Sequence, residues 1–222
     1  MEILAALDRS RDSINVLAHP FYQRWSAGEL SEVELALYAS EYGNAVIALA
    51  LTSQAAAENA PATARRELER HAEQEREHVE LWERFAIAAG AEDRADTQPL
   101  PETQACVAAW TAGDDFAEQL AVLYVLEASQ PEIARTKLDG LTTHYGFKAD
   151  ASATAYFKVH ETLDREHADS ASELIVNLTS GNPDADLQGQ RMLARASAAL
   201  RGNWTLLDGV EGAAAVSGKR TC

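Results

Sequence analysis

Three side chains in His160-Glu-Thr-Leu-Asp164-Arg-Glu-His167 are of the types that bind transition metals, and they recur at i, i+4 and i+7. At 100° per residue those offsets fall within about 60° of arc, one stripe along two turns of helix. Two imidazoles and a carboxylate on one stripe suit iron, manganese or zinc. A second stripe repeats the offsets in Arg70-His71-Ala-Glu73-Gln-Glu75-Arg-Glu77-His78, through His71, Glu75 and His78. Four of the six histidines of the chain lie in these two stripes. Glu127 closes the run Leu120-Ala-Val-Leu-Tyr-Val-Leu126, which is apolar on nearly every side. A carboxylate there is costly unless a cation meets it. A metal would serve, and so would a buried lysine such as Lys137.

Each feature also has a plainer reading. Glu73, Glu75, Glu77 and Glu80 with Arg70 and Arg76 could form a solvated charged face. Tyr22, Trp25, Tyr38 and Tyr42 at helical spacing could be core, and Cys106 an inert buried thiol. The joint occurrence of two histidine stripes and one carboxylate in an apolar helix favours the metal.

The elements that must position these residues are helical. Apolar periodicity predicts a helix over 2–18, a short one over 21–25 closed by Gly28, and a long one opened by the Ser31/Glu34 capping box and running to about Asn59. Pro61 suits the start of a helix stopped by Gly90, after which 91–102 reads as a polar loop. Further helices are expected across Cys106 and Trp110, from Asp114-Asp115 through Glu127 with a restart or kink at Pro131, from Asp150 or Ser152 through His160 to Gly181, and from Pro183 to about Leu207. The expectation is an all-α bundle of seven or eight helices, one domain over 1–209 with a disordered tail over 210–222.

Composition sets the bounds. The 222 residues can bury a substantial core, and 46% hydrophobic residues with only 12 Gly and 6 Pro favour a helical globule. A formal charge of −16 argues against a nucleic-acid partner. No apolar run approaches the ~20 residues of a membrane helix. The first residues carry no basic stretch of a signal peptide, so the cytoplasm is the expected compartment. Cys106 and Cys222 make no disulfide framework. A homodimer is the expected assembly.

His19-Pro-Phe-Tyr22-Gln-Arg-Trp25-Ser-Ala-Gly-Glu-Leu30, His78-Val-Glu-Leu-Trp82-Glu-Arg-Phe85 and Glu127-Ala-Ser-Gln-Pro-Glu-Ile-Ala-Arg-Thr-Lys137-Leu-Asp-Gly-Leu, together with the His160 motif, resemble the haem-oxygenase-like dimetal oxidases. Within them the chain is most similar to the group of the chlamydial protein associating with death domains. The likeness runs in order from about residue 15 to 207. It implies a haem-oxygenase-like fold without haem, and two transition-metal ions (Fe/Fe or Fe/Mn) that activate O2 with an external reductant. His78, Glu127, His160, Asp164 and His167 fall on the metal ligands of these oxidases. The sixth ligand is ordinarily a Glu seven residues before the first His. That position is His71 here, and Glu75 could supply the missing carboxylate. The same group includes enzymes that make p-aminobenzoate from one of their own tyrosines. Tyr22 falls on the consumed tyrosine, Lys137 on the nitrogen-donating lysine, and Tyr38 and Tyr156 on pocket tyrosines. Leu126 stands where the group has a further tyrosine.

Four functions compete at this point. The first is a dimetal oxidase, acting on its own side chains or on a separate small molecule such as an amino acid or fatty acid. The second is a metal-free pocket enzyme of the same fold, of the thiaminase-II or pyrroloquinoline-quinone-forming kind. A ferritin-like iron store, with Glu41 among its ligands, is the third, and a non-catalytic helical adaptor the fourth.

Overall fold

The computed structural model describes residues 2–91, 98–181 and 183–218, and among them every regular element is helical. In chain order these are α1 (Ile3–Ser13), α2 (Pro20–Ala27), α3 (Glu32–Asn59), α4 (Ala62–Ala88), α5 (Pro101–Thr111), α6 (Phe116–Glu127), α7 (Gln130–His144), α8 (Ala155–Thr179) and α9 (Ala185–Gly218). Short 3-10 turns precede α2 and α8. The expected seven or eight helices become nine segments, or eight if α6 and α7 are taken as one broken helix. The break is chemical. Pro131 sits in the first turn of α7 and has no N–H for a helix continuing from α6.

The bundle is organised around α6. All twelve of its residues are buried, and it packs against α3, α8 and α9. A helix apolar all round belongs at the centre of a bundle. Its last residue, Glu127, is therefore delivered to the interior. α4 lies along α3 and touches α8, so the two histidine stripes meet beside the end of α6.

Local sequence fixes the entry to each functional helix. The expected capping box forms, with Ser31 Oγ accepting the Glu34 N–H and Glu34 Oε2 accepting the Ser31 N–H. His19 is fully buried and caps α2. Its Nδ1 accepts the Phe21 N–H at 3.0 Å while Nε2–H donates to Asp208 Oδ1 at 3.1 Å. Gly28 closes α2 at φ 72°, the left-handed conformation a helix end needs. Gly140 lets α7 close on α2, because a Cβ there would meet the Trp25 ring at 2.5 Å. Trp25 Nε1–H donates to the Lys137 carbonyl across that contact, and this fixes Tyr22 and Lys137 relative to each other.

Two expectations need correction. The helix expected over 2–18 ends at Ser13, because the Asn15 side chain accepts the Leu17 N–H and starts a separate turn. The expected tail from 210 is instead the last part of α9, helical to Gly218. Val210 is buried and Glu211 pairs with Arg24, so tertiary contacts hold a segment whose glycines suggested a break. Residues 219–222 of that tail, with Cys222, and 92–97 of the expected loop lie outside the described residues. Among the described residues no helix is long and apolar enough to cross a membrane.

Candidate metal centre

The two stripes converge as the offsets predict. His71, Glu75 and His78 face inward from α4, His160, Asp164 and His167 from α8, and Glu127 from the end of α6. The imidazoles meet in cross-helix pairs, His71 with His167 at 4.0 Å between ring centres and His78 with His160 at 4.3 Å. Potential ligand atoms form two compact groups, one of His71, Glu75, Glu127 and His167, the other of Glu75, His78 and His160, each within 4.8 Å of one another. Asp164 belongs to neither group. Its Oδ1 lies 3.8 Å from His167 Nδ1 at the edge of the first.

The remaining contacts of the imidazoles decide which nitrogen is available. His160 Nδ1–H donates to the Tyr156 carbonyl at 2.7 Å, leaving the Nε2 lone pair pointing into the cluster. His167 Nε2–H donates to Gln74 Oε1 at 3.1 Å, leaving Nδ1. Orienting a ligand imidazole through its other nitrogen is the usual arrangement at metal sites. Burial pushes the His160 imidazole down to about 4. It pushes His167 down to about 3, with the His71 charge adding to the effect. Both rings are thus neutral at ordinary pH, the form that ligates. Burial raises Asp164 well above the usual carboxylate range and raises Glu127. Glu75 is also buried, yet its hydrogen bond to His78 and the surrounding imidazoles hold it down at about 2.

Do these residues fit a metal? Ten buried side-chain N or O atoms among the described residues have no hydrogen-bond partner, and eight of them belong to this cluster: His71 Nε2, Glu75 Oε2, both oxygens of Glu127, His160 Nε2, both oxygens of Asp164 and His167 Nδ1. Orphaned buried polar atoms are rare because each is costly. Eight converging from three helices, all lone-pair donors of the N and O types that iron and manganese accept, fit metal ions well. Glu127 makes no ion pair with Lys137; its near partner is His71, at 2.7 Å but outside hydrogen-bond geometry. Glu41, which a ferritin-like site would use, instead accepts the Leu100 N–H.

A second constellation adjoins the first. Tyr156 stacks on His160 at 4.0 Å and meets Trp82 at 4.8 Å. Trp82 continues to Tyr42 and Tyr38, and the Tyr38 hydroxyl is 2.8 Å from that of Tyr22. Lys137, 1% exposed, sits inside this aromatic cage. Its Nζ is 4.4 Å from the ring centre of Tyr42, 5.2 Å from Tyr22, 5.5 Å from Tyr38 and 5.8 Å from Trp82. Burial pushes the amine down to about 7, so much of it is neutral at physiological pH. Tyr22, Lys137, Tyr38 and Tyr156 thus lie in or against one aromatic cluster. Tyr42, Trp82 and Gln74 were not singled out for the site. Trp82 follows His78 by four residues and Tyr156 precedes His160 by four, so extending each stripe by one turn reaches the cage.

The buried lysine has a measurable cost. The unfolded chain keeps its proton up to about 10.5 and the folded chain only to about 7, so the amine destabilises the fold fully below pH 7 and progressively less up to 10.5. Lys137→Met is therefore expected to raise the unfolding free energy of metal-free protein by roughly 1–4 kcal/mol at neutral pH. The gain should shrink by pH ~10. Urea unfolding at the two pH values checks this, and a gain independent of pH would contradict it.

Residues 47–202 match the family described as iron-containing redox enzymes. The chain belongs to that family. It is 33% identical over 225 residues to a 4-aminobenzoate synthase of Nitrosomonas europaea, covering 92% of this chain and 89% of the relative. The 4-aminobenzoate synthase of Chlamydia trachomatis is 32% identical, with 86% and 87% covered. Among solved structures, a TenA homolog from Pseudomonas syringae superposes with a TM-score of 0.80 at 19% identity, covering 95% of this chain and 91% of that one. A domain with a haem-oxygenase-like fold from Shewanella denitrificans gives 0.74 at 19%, with 96% and 91% covered. These last two bear on the fold, which is haem-oxygenase-like. As an iron-containing redox enzyme the chain is an oxidoreductase, and the histidine and carboxylate cluster is its candidate metal centre. Cys106 is buried and its thiol pushed up to about 12, as suits an inert core thiol.

Proposed function

We propose that this protein is a 4-aminobenzoate synthase that builds its product from its own Tyr22 and Lys137. The observation that carries the reading is the caged Lys137 amine beside the Tyr22 ring, one aromatic chain away from the donor cluster. The names of the relatives support it. His71, Glu75, His78, Glu127, His160 and His167, with Asp164 at their edge, would hold a pair of ions, Fe/Fe or Fe/Mn. When bound, such a pair supplies the activation of O2, with electrons from an external reductant.

The carbon count defines what the chain contributes. The ring and Cβ of tyrosine are the seven carbons of 4-aminobenzoate, already para-substituted, so the Cα–Cβ bond of Tyr22 breaks and Cβ becomes the carboxylate. The phenol C–O bond breaks, with its oxygen leaving as water. O2 is the oxidant for both Cβ of Tyr22 and Cε of Lys137. The Nζ–Cε bond of Lys137 breaks, leaving Cε as an aldehyde, as the nitrogen joins the ring. Burial favours this, because a neutral amine has the lone pair that an ammonium lacks. Tyr38 holds the Tyr22 hydroxyl and can carry its proton. Phe21, Trp25 and Tyr38 pack on the Tyr22 ring and keep water from it.

An oxidase acting on a separate molecule would need room for it. The cavity that opens on His71 and His167 is about 170 Å³ and the one that opens on Asp164 about 260 Å³. Both fall below the ~300 Å³ at which ligand pockets begin. The test is a purified, metal-free protein supplied with Fe(II), Mn(II), reductant and O2, and with no aromatic precursor. The expected result is 4-aminobenzoate at no more than one molecule per chain, with the matching mass loss at Tyr22 and Lys137. Intact protein and no product would refute the reading; repeated turnover on an added substrate would replace it with the external-substrate oxidase.

A further inference from the structure

The two groups of ligand atoms share one residue, Glu75. We propose that Glu75 is the common ligand of two unequal cation sites, one of His71, Glu75, Glu127 and His167 and the other of Glu75, His78 and His160, which fill in that order. This rests on the dimetal reading above and adds to it the arrangement and sequence of loading.

The argument begins with what each side chain can offer. An imidazole presents one in-plane lone pair once its other nitrogen is committed as a donor, as His160 is to the Tyr156 carbonyl and His167 to Gln74. Such a ring serves one ion. A carboxylate has two oxygens and can serve two. Three buried carboxylates face the cluster, Glu75, Glu127 and Asp164. Glu127 belongs to the first group alone, and Asp164 to neither. Glu75 belongs to both. Its Oε1 lies 3.1 Å from His78 Nδ1, 3.8 Å from His71 Nε2 and 4.0 Å from His167 Nδ1, between the two imidazole pairs. Its Oε2 is buried without a partner.

His71 cannot be shared in this way, whereas Glu75, one turn of α4 along the same face, can be. The groups are unequal in what remains. The first keeps three donors of its own, one of them the carboxylate Glu127, and the second keeps two imidazoles. More donors and more negative charge make the first site the tighter one for any divalent first-row ion.

The experiment is an anaerobic titration of metal-free protein with Mn(II), followed by the loss of the free-ion electron paramagnetic resonance signal. Wild type should bind in two steps whose dissociation constants differ by about tenfold or more. Glu75→Gln should weaken both steps by about tenfold or more. Glu127→Gln, the same chemical change at an unshared position, should weaken only the first, and His160→Ala only the second. If Glu75→Gln fails to fold, Glu75→Asp keeps the charge, shortens the reach and should weaken the same two steps. A Glu75 variant that keeps either step at wild-type affinity overturns the shared ligand while leaving the dimetal reading in place. Two wild-type steps of equal affinity overturn the order of filling. Wild type that takes up no Mn(II) overturns both the sharing and the dimetal reading.

Discussion

Tyr22→Phe is expected to make no detectable 4-aminobenzoate, a loss of at least about 100-fold, while still binding its full complement of metal. Phenylalanine keeps the ring and its packing against Phe21, Trp25 and Tyr38. It removes one hydroxyl, whose bond to Tyr38 is worth about 1 kcal/mol, so the fold survives. What is lost is chemical. Without the phenol oxygen the ring is harder to oxidise and has no para substituent for the amine to replace. Tyr38→Phe is the matched control. It breaks the same hydrogen bond but leaves the carbons of Tyr22 in place, so it should slow product formation without abolishing it. Lys137→Met should abolish it, because among the described residues no other lysine shares the cage. Product assays paired with metal stoichiometry separate these outcomes. A Tyr22→Phe protein that makes wild-type amounts of product would remove Tyr22 from the chemistry.

The second large effect is on stability. Anaerobic Fe(II) at about 100 times its dissociation constant should stabilise the fold by ~2.7 kcal/mol per site, because the folded chain gathers the ligands and the unfolded chain does not. Two sites give about 5 kcal/mol, or roughly 10–20 °C in melting temperature for a chain of this size. The source of the gain is visible in the orphaned donor atoms, each of which, the 2.7 Å His71 Nε2–Glu127 Oε1 pair aside, costs about 1–3 kcal/mol while it lacks a partner. Chelation should return the melting temperature to its starting value. Calorimetry with and without Fe(II) is the check, and equal melting temperatures would contradict a centre built from these residues. Glu127→Gln should show a smaller shift than wild type, since it removes the only carboxylate that belongs to the first group alone.

The sequence carried the parts of this site that depend on period and not on tertiary contact. The i, i+4, i+7 offsets identified both stripes, because a helix of any length carries such residues on one face. Glu127 stands out because the seven residues before it in α6, Leu120–Leu126, are apolar, and that same run puts α6 at the centre of the bundle. The aromatic cage was harder. Tyr42 and Trp82 look like ordinary core residues in a pattern, and only the closure of α7 onto α2 at Gly140 brings Lys137 among them. The sharing of Glu75 between two groups depends on side-chain reach across α4, α6 and α8, which no spacing encodes. Gln74 belongs to the same class, since its role is set by the distance to His167 on another helix. The misread tail has the opposite cause. Gly209 and Gly212 are poor helix formers, but the burial of Val210 and the Arg24–Glu211 pair outweigh that local preference.

The central claim is that product atoms come from the protein itself, and isotope tracing tests it most directly. Protein carrying uniformly 13C-labelled tyrosine and side-chain 15N-labelled lysine is reconstituted with Fe(II) and Mn(II), then given reductant and O2 in unlabelled buffer with no aromatic compound added. The account predicts 4-aminobenzoate with seven 13C atoms and one 15N, formed at no more than one molecule per chain. Unlabelled 4-aminobenzoate, or labelled protein recovered intact at Tyr22 and Lys137 after O2 has been consumed, would contradict it.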